Sequence, residues 1–236
     1  AAVSKKMEEI KAYGKIPNRI LEANIVKQAK LSVVIEEWME ENMLDASCIQ
    51  CWDSVQENYG CATCLTMAMM GEKLMPSACE VDLDGTVSMY ALALASGKAP
   101  GFLDWNNNYG KEADKCVNTH CSNFPASFMG TEIEISDLDI LGESLGRENC
   151  FGAIKGKVAP GEMTFFRMST NDTEGWIHSY LGEGEFTDDP FPMDGGIAVC
   201  RIPNLRRLLR HITKNGFEHH VAMVRGHWRS VLEEAI

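Results

Sequence analysis

The stretch Ser77-Ala78-Cys79-Glu80-Val81-Asp82-Leu83-Asp84-Gly85 carries a short apolar run directly into acidic turn residues. Ala78–Val81 reads as a short buried strand, and Asp84 as the cap of a helix with Val87, Tyr90, Ala91 and Leu94 on one face, stopped by Gly97. Upstream, Leu31, Val34, Ile35 and Trp38 recur at the i, i+3, i+4, i+7 spacing that lines one side of a helix. Ala46–Trp52 is a run of strand length, and a second helix is expected over Cys61 to Leu74 before Pro76 interrupts it. Strands alternating with helices predict a parallel sheet covered by helices, here a partial α/β layer of Rossmann-like type.

Beyond Gly97 the texture changes. Gly, Pro, Asn and Asp become frequent, and Thr131–Ile135, Met163–Met168, Trp176–Leu181 and Gly196–Ile202 are β-rich runs separated by turn chemistry. A mostly β, barrel-like second domain is expected, with a late helix capped by Asn204, directing Leu205, Leu208, Leu209 and Ile212 inward, and a final strand over His220–Val224. The boundary falls near Gly97–Gly101, giving domains of 1–98 and 99–236.

A formal charge of −12 over 236 residues argues against a nucleic-acid partner, whose affinity comes chiefly from clustered Lys and Arg. Arg206, Arg207 and Arg210 read as a solvated helix face. The longest apolar runs, Cys64–Met70 and Met89–Ala95, are far short of bilayer length. Nine cysteines are an odd number for a disulfide framework, and a chain this long needs no staples, so a reducing cytoplasm is expected. The opening Ala1-Ala2 runs straight into helical sequence, as a processed or excised piece would.

Candidate chemistry lies at five places. Glu80 ends a predicted strand before a helix, where open α/β sheets place ligands; Glu80, Asp82 and Asp84 also read as an ordinary polar turn and cap. Asp104 lies where the apolar Phe102-Leu103 runs into Asn106-Asn107-Asn108. His219-His220 opens the last strand, and strand alternation allows one of the two to face a given site. Cys48-x-x-Cys51 and Cys61-x-x-Cys64 offer four thiolates for structural zinc, but their spacing is tighter than a zinc ribbon, and core cysteines need no metal. Cys116 and Cys121, around His120, are a further partial ligand set or a reactive thiol.

Taken together, these segments resemble the metal-site motifs of the L-fucose isomerase and L-arabinose isomerase superfamily. Cys79-Glu80-Val81-Asp82 up to Gly85 is similar to the segment with the first metal-binding glutamate, Phe102-Leu103-Asp104-Trp105-Asn106 to that with the second carboxylate, and Gly216-Phe217-Glu218-His219-His220 with Gly226-His227 to the terminal motif that supplies an imidazole. The resemblance implies a metal-dependent aldose–ketose isomerase with Glu80, Asp104 and His220 as Mn²⁺ ligands. It further implies that Glu80 and Asp104 transfer protons and that Gln50 and His219 contact a monosaccharide. It also implies that this chain is a C-terminal part of a longer protein, with the site completed between subunits of a homo-oligomer. The rival expectations are a zinc-stabilised interaction module using Cys48, Cys51, Cys61 and Cys64, and a sugar-binding protein without catalysis.

Overall fold

The computed structural model describes residues 1–121, 123–137 and 139–236. Helices α1 (Ala2–Tyr13) and α2 (Glu22–Glu41) lead into strand β1 (Ser47–Ile49), the short α3 (Ser54–Asn58), α4 (Cys64–Glu72) and β2 (Ser77–Cys79). β1 and β2 pair in parallel, so the expected α/β layer is present with strands only three residues long. Helix α4 is buried from Cys64 through Gly71, which accounts for a segment that is apolar all round rather than striped.

Next comes α5 (Leu83–Ser96), which starts earlier than expected: its cap is Asp82, which accepts a hydrogen bond from the Gly85 N–H at 2.6 Å. Asp84 instead accepts from the Thr170 N–H at 3.1 Å and ties the helix to a barrel strand. Gly97, at φ 63°, ends the helix as a left-handed cap. The expected stripes of α2 and α5 are covered only in part, with Leu31, Ile35, Tyr90 and Ala91 half-buried. Val34 and Trp38 are 62% and 51% exposed and Val87 and Leu94 are 42% and 68% exposed, while Ile25, Ala29 and Met39 of α2 and Met89 and Leu92 of α5 are buried. Periodicity finds a helix, but here two apolar stripes compete and only packing selects between them.

The remaining elements are β3 (Gly101–Asn108), β4 (Lys115–His120), α6 (Ala126–Met129), β5 (Glu134–Asp137), α7 (Asp139–Leu145), β6 (Phe151–Lys157), β7 (Gly161–Asn171), β8 (Trp176–Phe186), β9 (Gly196–Arg201), α8 (Leu205–Lys214), β10 (His220–Arg225) and α9 (Arg229–Ala235). The larger sheet runs β4-β3-β10-β7-β8-β9-β6-β5, and an additional β4–β9 pairing closes the first six of these strands into a barrel. Leu103, Phe165, Val221 and Met223 fill one side of the barrel wall in a cluster that also takes in Ile10 and Leu65 from the helical part. On the opposite side Phe102, Phe166, Ala222 and Val224 pack against Met89 and Leu92 of α5. This alternation follows the two-residue period of a strand, and it places Asp104 and His220, which share parity with Phe102 and Ala222, on the α5 side. No helix among the described residues is long and apolar enough to cross a membrane.

Candidate active site

Asp104 and His220 are register partners on the antiparallel pair β3–β10, a relation that sets Cβ atoms roughly 5 Å apart on one face. Glu80 arrives from the end of β2, directly after Cys79. Glu80 and Val81 both adopt left-handed backbone, at φ 62° and 58°. Such a conformation costs a non-glycine residue on the order of 1–3 kcal/mol, and functional sites concentrate this kind of strain. Gly85 then passes so close to the Phe102 ring that a Cβ there would overlap it, which lets the start of α5 lie directly on β3.

Glu80 and Asp104 each approach His220. His220 Nε2 lies 3.5 Å from Asp104 Oδ1 and 3.7 Å from Glu80 Oε2. Both members of the His219-His220 pair reach the site, contrary to the alternation expected from sequence: His219 Nε2 is 3.7 Å from Asp104 Oδ1. The reason is local, since His219 precedes the first residue of β10 and escapes its pleat. His120, at the end of β4, adds a further imidazole, with Nε2 3.9 Å from Asp104 Oδ1. Glu80, His120 and His220, and likewise Asp104, His219 and His220, offer ligand atoms within 4.8 Å of one another.

The imidazole of His220 is oriented from behind. Its Nδ1 is 2.9 Å from Asp82 Oδ2, which also accepts from Arg167 at 2.6 Å. Arg167 is fully buried and pairs at 2.9 Å with Glu218, itself the acceptor of the Ser169 hydroxyl at 2.8 Å. Burial alone would raise the Asp82 carboxyl. Hydrogen bonds from His220 and Arg167, the guanidinium charge and the Gly85 N–H together hold it well below the usual carboxylate range. The Asp82 carboxylate thus anchors His220 through Nδ1 and leaves Nε2 turned toward Glu80 and Asp104.

Among the described residues, the buried atoms Asp104 Oδ1 and His220 Nε2 have no hydrogen-bond partner. An unsatisfied buried polar group costs on the order of 1–3 kcal/mol, and here two such acceptors face each other. Carboxylate oxygens with one or two imidazoles suit a hard or borderline divalent cation, which would satisfy both atoms at once. The residues present therefore fit a metal. Glu80 also accepts from Trp52 Nε1 at 3.0 Å. Two clefts flank the cluster, one of about 450 Å³ lined by Glu80, Arg167, Glu218, His219 and His220, the other of about 500 Å³ lined by Trp52, Asp104, Thr119, His120 and Glu143.

A profile describing the L-fucose isomerase C-terminal domain matches residues 118–236, half of the chain, including His120, His219 and His220. The chain belongs to the L-fucose isomerase C-terminal domain family. It is similar to sulfoquinovose isomerase of Alkalicoccus urumqiensis (27% identical over 205 residues), to that of Priestia aryabhattai (28% over 204) and to that of Clostridium sp. strain MSTE9 (24% over 206). These alignments cover 84–86% of this chain but only 43–44% of each relative, so the chain spans less than half their length.

As a member of this fucose isomerase family, the chain brings together four of the five residues singled out from sequence, Glu80, Asp104, His219 and His220. Gln50 follows β1 at the same end of the parallel pair as Glu80, but its side chain is exposed and lines neither cleft. The four-cysteine set is not assembled as expected. Cys48 packs against the cluster of Ala78 and Met89, and Cys61 is buried near Lys27. Sequence reasoning missed Arg167 and Glu218. A charge inside the apolar run Met163–Met168 was the available signal for the first; Glu218, before a His pair, carried none.

Proposed function

We propose that this chain is the C-terminal part of a Mn²⁺-dependent aldose–ketose isomerase, with Glu80, Asp104 and His220 holding the ion. The observation that carries the reading is that the buried atoms Asp104 Oδ1 and His220 Nε2 lack hydrogen-bond partners, with Glu80 3.7 Å from the same Nε2, beside a segment that matches the fucose isomerase C-terminal domain. When bound, a divalent cation supplies a Lewis acid that polarises the sugar carbonyl and offsets negative charge on the reacting oxygens.

The rest falls to the chain. Isomerisation moves one proton between adjacent carbons and another between their oxygens through an enediol, which asks for two groups able to accept and return protons. Glu80 and Asp104, at 3.7 and 3.5 Å from His220 Nε2, take these two roles. His219 stands at the mouth, exposed and within reach of Asp104, and contacts a sugar hydroxyl; Gln50 is the second contact proposed from sequence. Asp82, held in turn by Arg167 and Glu218, keeps His220 in place.

The relatives named sulfoquinovose isomerase favour an aldose as substrate and supply one candidate. The exposed apolar residues of α2 and α5 favour burial against further parts of a longer protein or a second subunit, in keeping with a homo-oligomer. The nine free cysteines favour a reducing cytoplasm. The test is turnover by the complete protein with Mn²⁺ on a panel including L-fucose, L-arabinose and sulfoquinovose. Conversion of at least one aldose, abolished by chelation and reduced on the order of 10²–10⁴-fold by Glu80→Gln, is expected. Sugar binding without conversion would make this a binding protein of the same fold, and full turnover by Glu80→Gln would refute the role of Glu80.

A further inference from the structure

Beneath the carboxylate cluster lies a second group of donors with a different chemistry. Cys51 follows β1, Cys64 opens α4, Cys79 ends β2 and Cys121 follows β4, so four separate elements each deliver one thiol. Cys51 and Cys79 lie in one small buried cluster against which Cys121 packs, and Cys64 interacts electrostatically with Cys51, Cys79 and Cys121. Cys51, Cys64 and Cys79 are 3%, 2% and 0% exposed. His120 Nδ1 lies 3.2 Å from Cys121 Sγ, and Cys79, His120 and Cys121 offer ligand atoms within 4.8 Å of one another. Tetrahedral zinc with bonds of about 2.3 Å sets its sulfurs roughly 3.8 Å apart, inside the 4.8 Å that spans the ligand atoms of Cys79, His120 and Cys121.

Packing alone does not account for the convergence. A buried cysteine behaves as a small hydrophobe and has no reason to seek sulfur. Cys61 and Cys150 are as deeply buried, yet Cys61 neighbours Lys27, and Cys150 neighbours Asp137 and Glu148. Cys116 and Cys200 face each other across β4 and β9 and gather no third donor among the described residues. Only at the ends of β1, β2 and β4 do sulfurs accumulate, and each C-x-x-C pair sends one member there while the other stays away.

We propose that Cys51, Cys64, Cys79 and Cys121 form a closed structural site for one thiophilic divalent cation, zinc by ligand type, with His120 as hydrogen-bonding partner of the Cys121 sulfur. Binding needs no oxidant: each thiol releases its proton to solvent as its sulfur coordinates, and the metal keeps its charge. The ion fastens the residue before Glu80 to β1, α4 and β4, and so holds the left-handed Glu80–Val81 turn in the position that the isomerase site requires. Its existence is independent of the isomerase reading.

The test uses the full chain, purified reduced, stripped with a chelator and titrated with Co²⁺. One equivalent per chain should produce the intense sulfur-to-cobalt charge-transfer absorption of a tetrahedral thiolate site, displaced by Zn²⁺. The absorption should vanish in Cys79→Ser and Cys121→Ser and persist in Cys48→Ser, Cys61→Ser and His220→Ala. Because a serine in the core can unfold the chain, the donor set is also read on the unaltered protein, by X-ray absorption at the zinc edge. A shell of sulfurs with at most one nitrogen supports the site. A shell dominated by oxygen, no thiolate absorption with cobalt, or a disulfide joining two of the four cysteines in freshly purified protein overturns it.

Discussion

Cys79 and Glu80 are neighbours in the chain and belong to opposite environments. Cys79 points into a buried cluster with Cys51, whereas Glu80 turns outward to meet His220 beside an open cleft. The left-handed pair Glu80–Val81 makes the change of direction, and His120 spans the two, with Nδ1 on sulfur and Nε2 toward a carboxylate. The hard donors are organised by a buried ionic network, Asp82–Arg167–Glu218, while the soft donors are organised by apolar packing of β1, α4 and β2. Donor type and wetness therefore separate over a single peptide bond, and the two halves should fail in different ways.

The largest separation is expected from Arg167→Met. Removing one partner of a buried ion pair leaves Asp82 uncompensated, a loss of about 3–5 kcal/mol in urea unfolding. Co²⁺ absorption from the thiol pocket should survive under native conditions; its loss together with stability would mean that the two regions are one unit. Asp82→Asn keeps an equally good helix cap but removes the charge that orients His220. Mn²⁺ affinity should fall about 10–100-fold by titration calorimetry, and unchanged affinity would show that Asp82 only caps α5. Gly85→Ala forces a methyl into the Phe102 ring and should cost about 1–3 kcal/mol, felt at the hard donors through the start of α5. Equal weakening of both metal responses would break the comparison.

The smallest effect is a pH control outside both regions. Burial raises the Asp137 carboxyl, but Arg19 and Arg147 and the backbone hold it below its ordinary value. The stability it contributes is complete above the unfolded carboxylate value of about 3.9 and is lost as pH falls through its lower folded value. Asp137→Asn should thus flatten the acid limb of the stability curve and leave the neutral region lower. An unaltered acid limb would assign the acid sensitivity elsewhere.

Much of this was legible in the sequence, for identifiable reasons. Glu80, Asp104 and His220 stood in motifs whose residues sit close together, and the strands β7 to β10 announced themselves by turn residues at their ends. β4 and β6 did not, since Lys115–His120 mixes Lys, Asn, Thr and His with few apolar residues and Phe151–Lys157 carries two glycines. The predicted helix stripes were only partly the covered ones, with Val34, Trp38, Val87 and Leu94 left exposed, because which apolar positions are covered depends on packing against the barrel, a long-range fact. The thiol pocket was half visible. Spacing pointed to Cys51 and Cys64, but their partners Cys79 and Cys121 lie at strand ends that only tertiary pairing brings together.

The central claim is that two carboxylates and one imidazole share a single hard cation. Titration of the complete protein with Mn²⁺, followed by electron paramagnetic resonance, tests it most directly. One ion per chain is expected, with affinity reduced at least 10-fold in each of Glu80→Gln, Asp104→Asn and His220→Ala while the thiol-pocket response stays intact. Binding of Mn²⁺ by all three variants as tightly as by the unaltered protein would contradict the account.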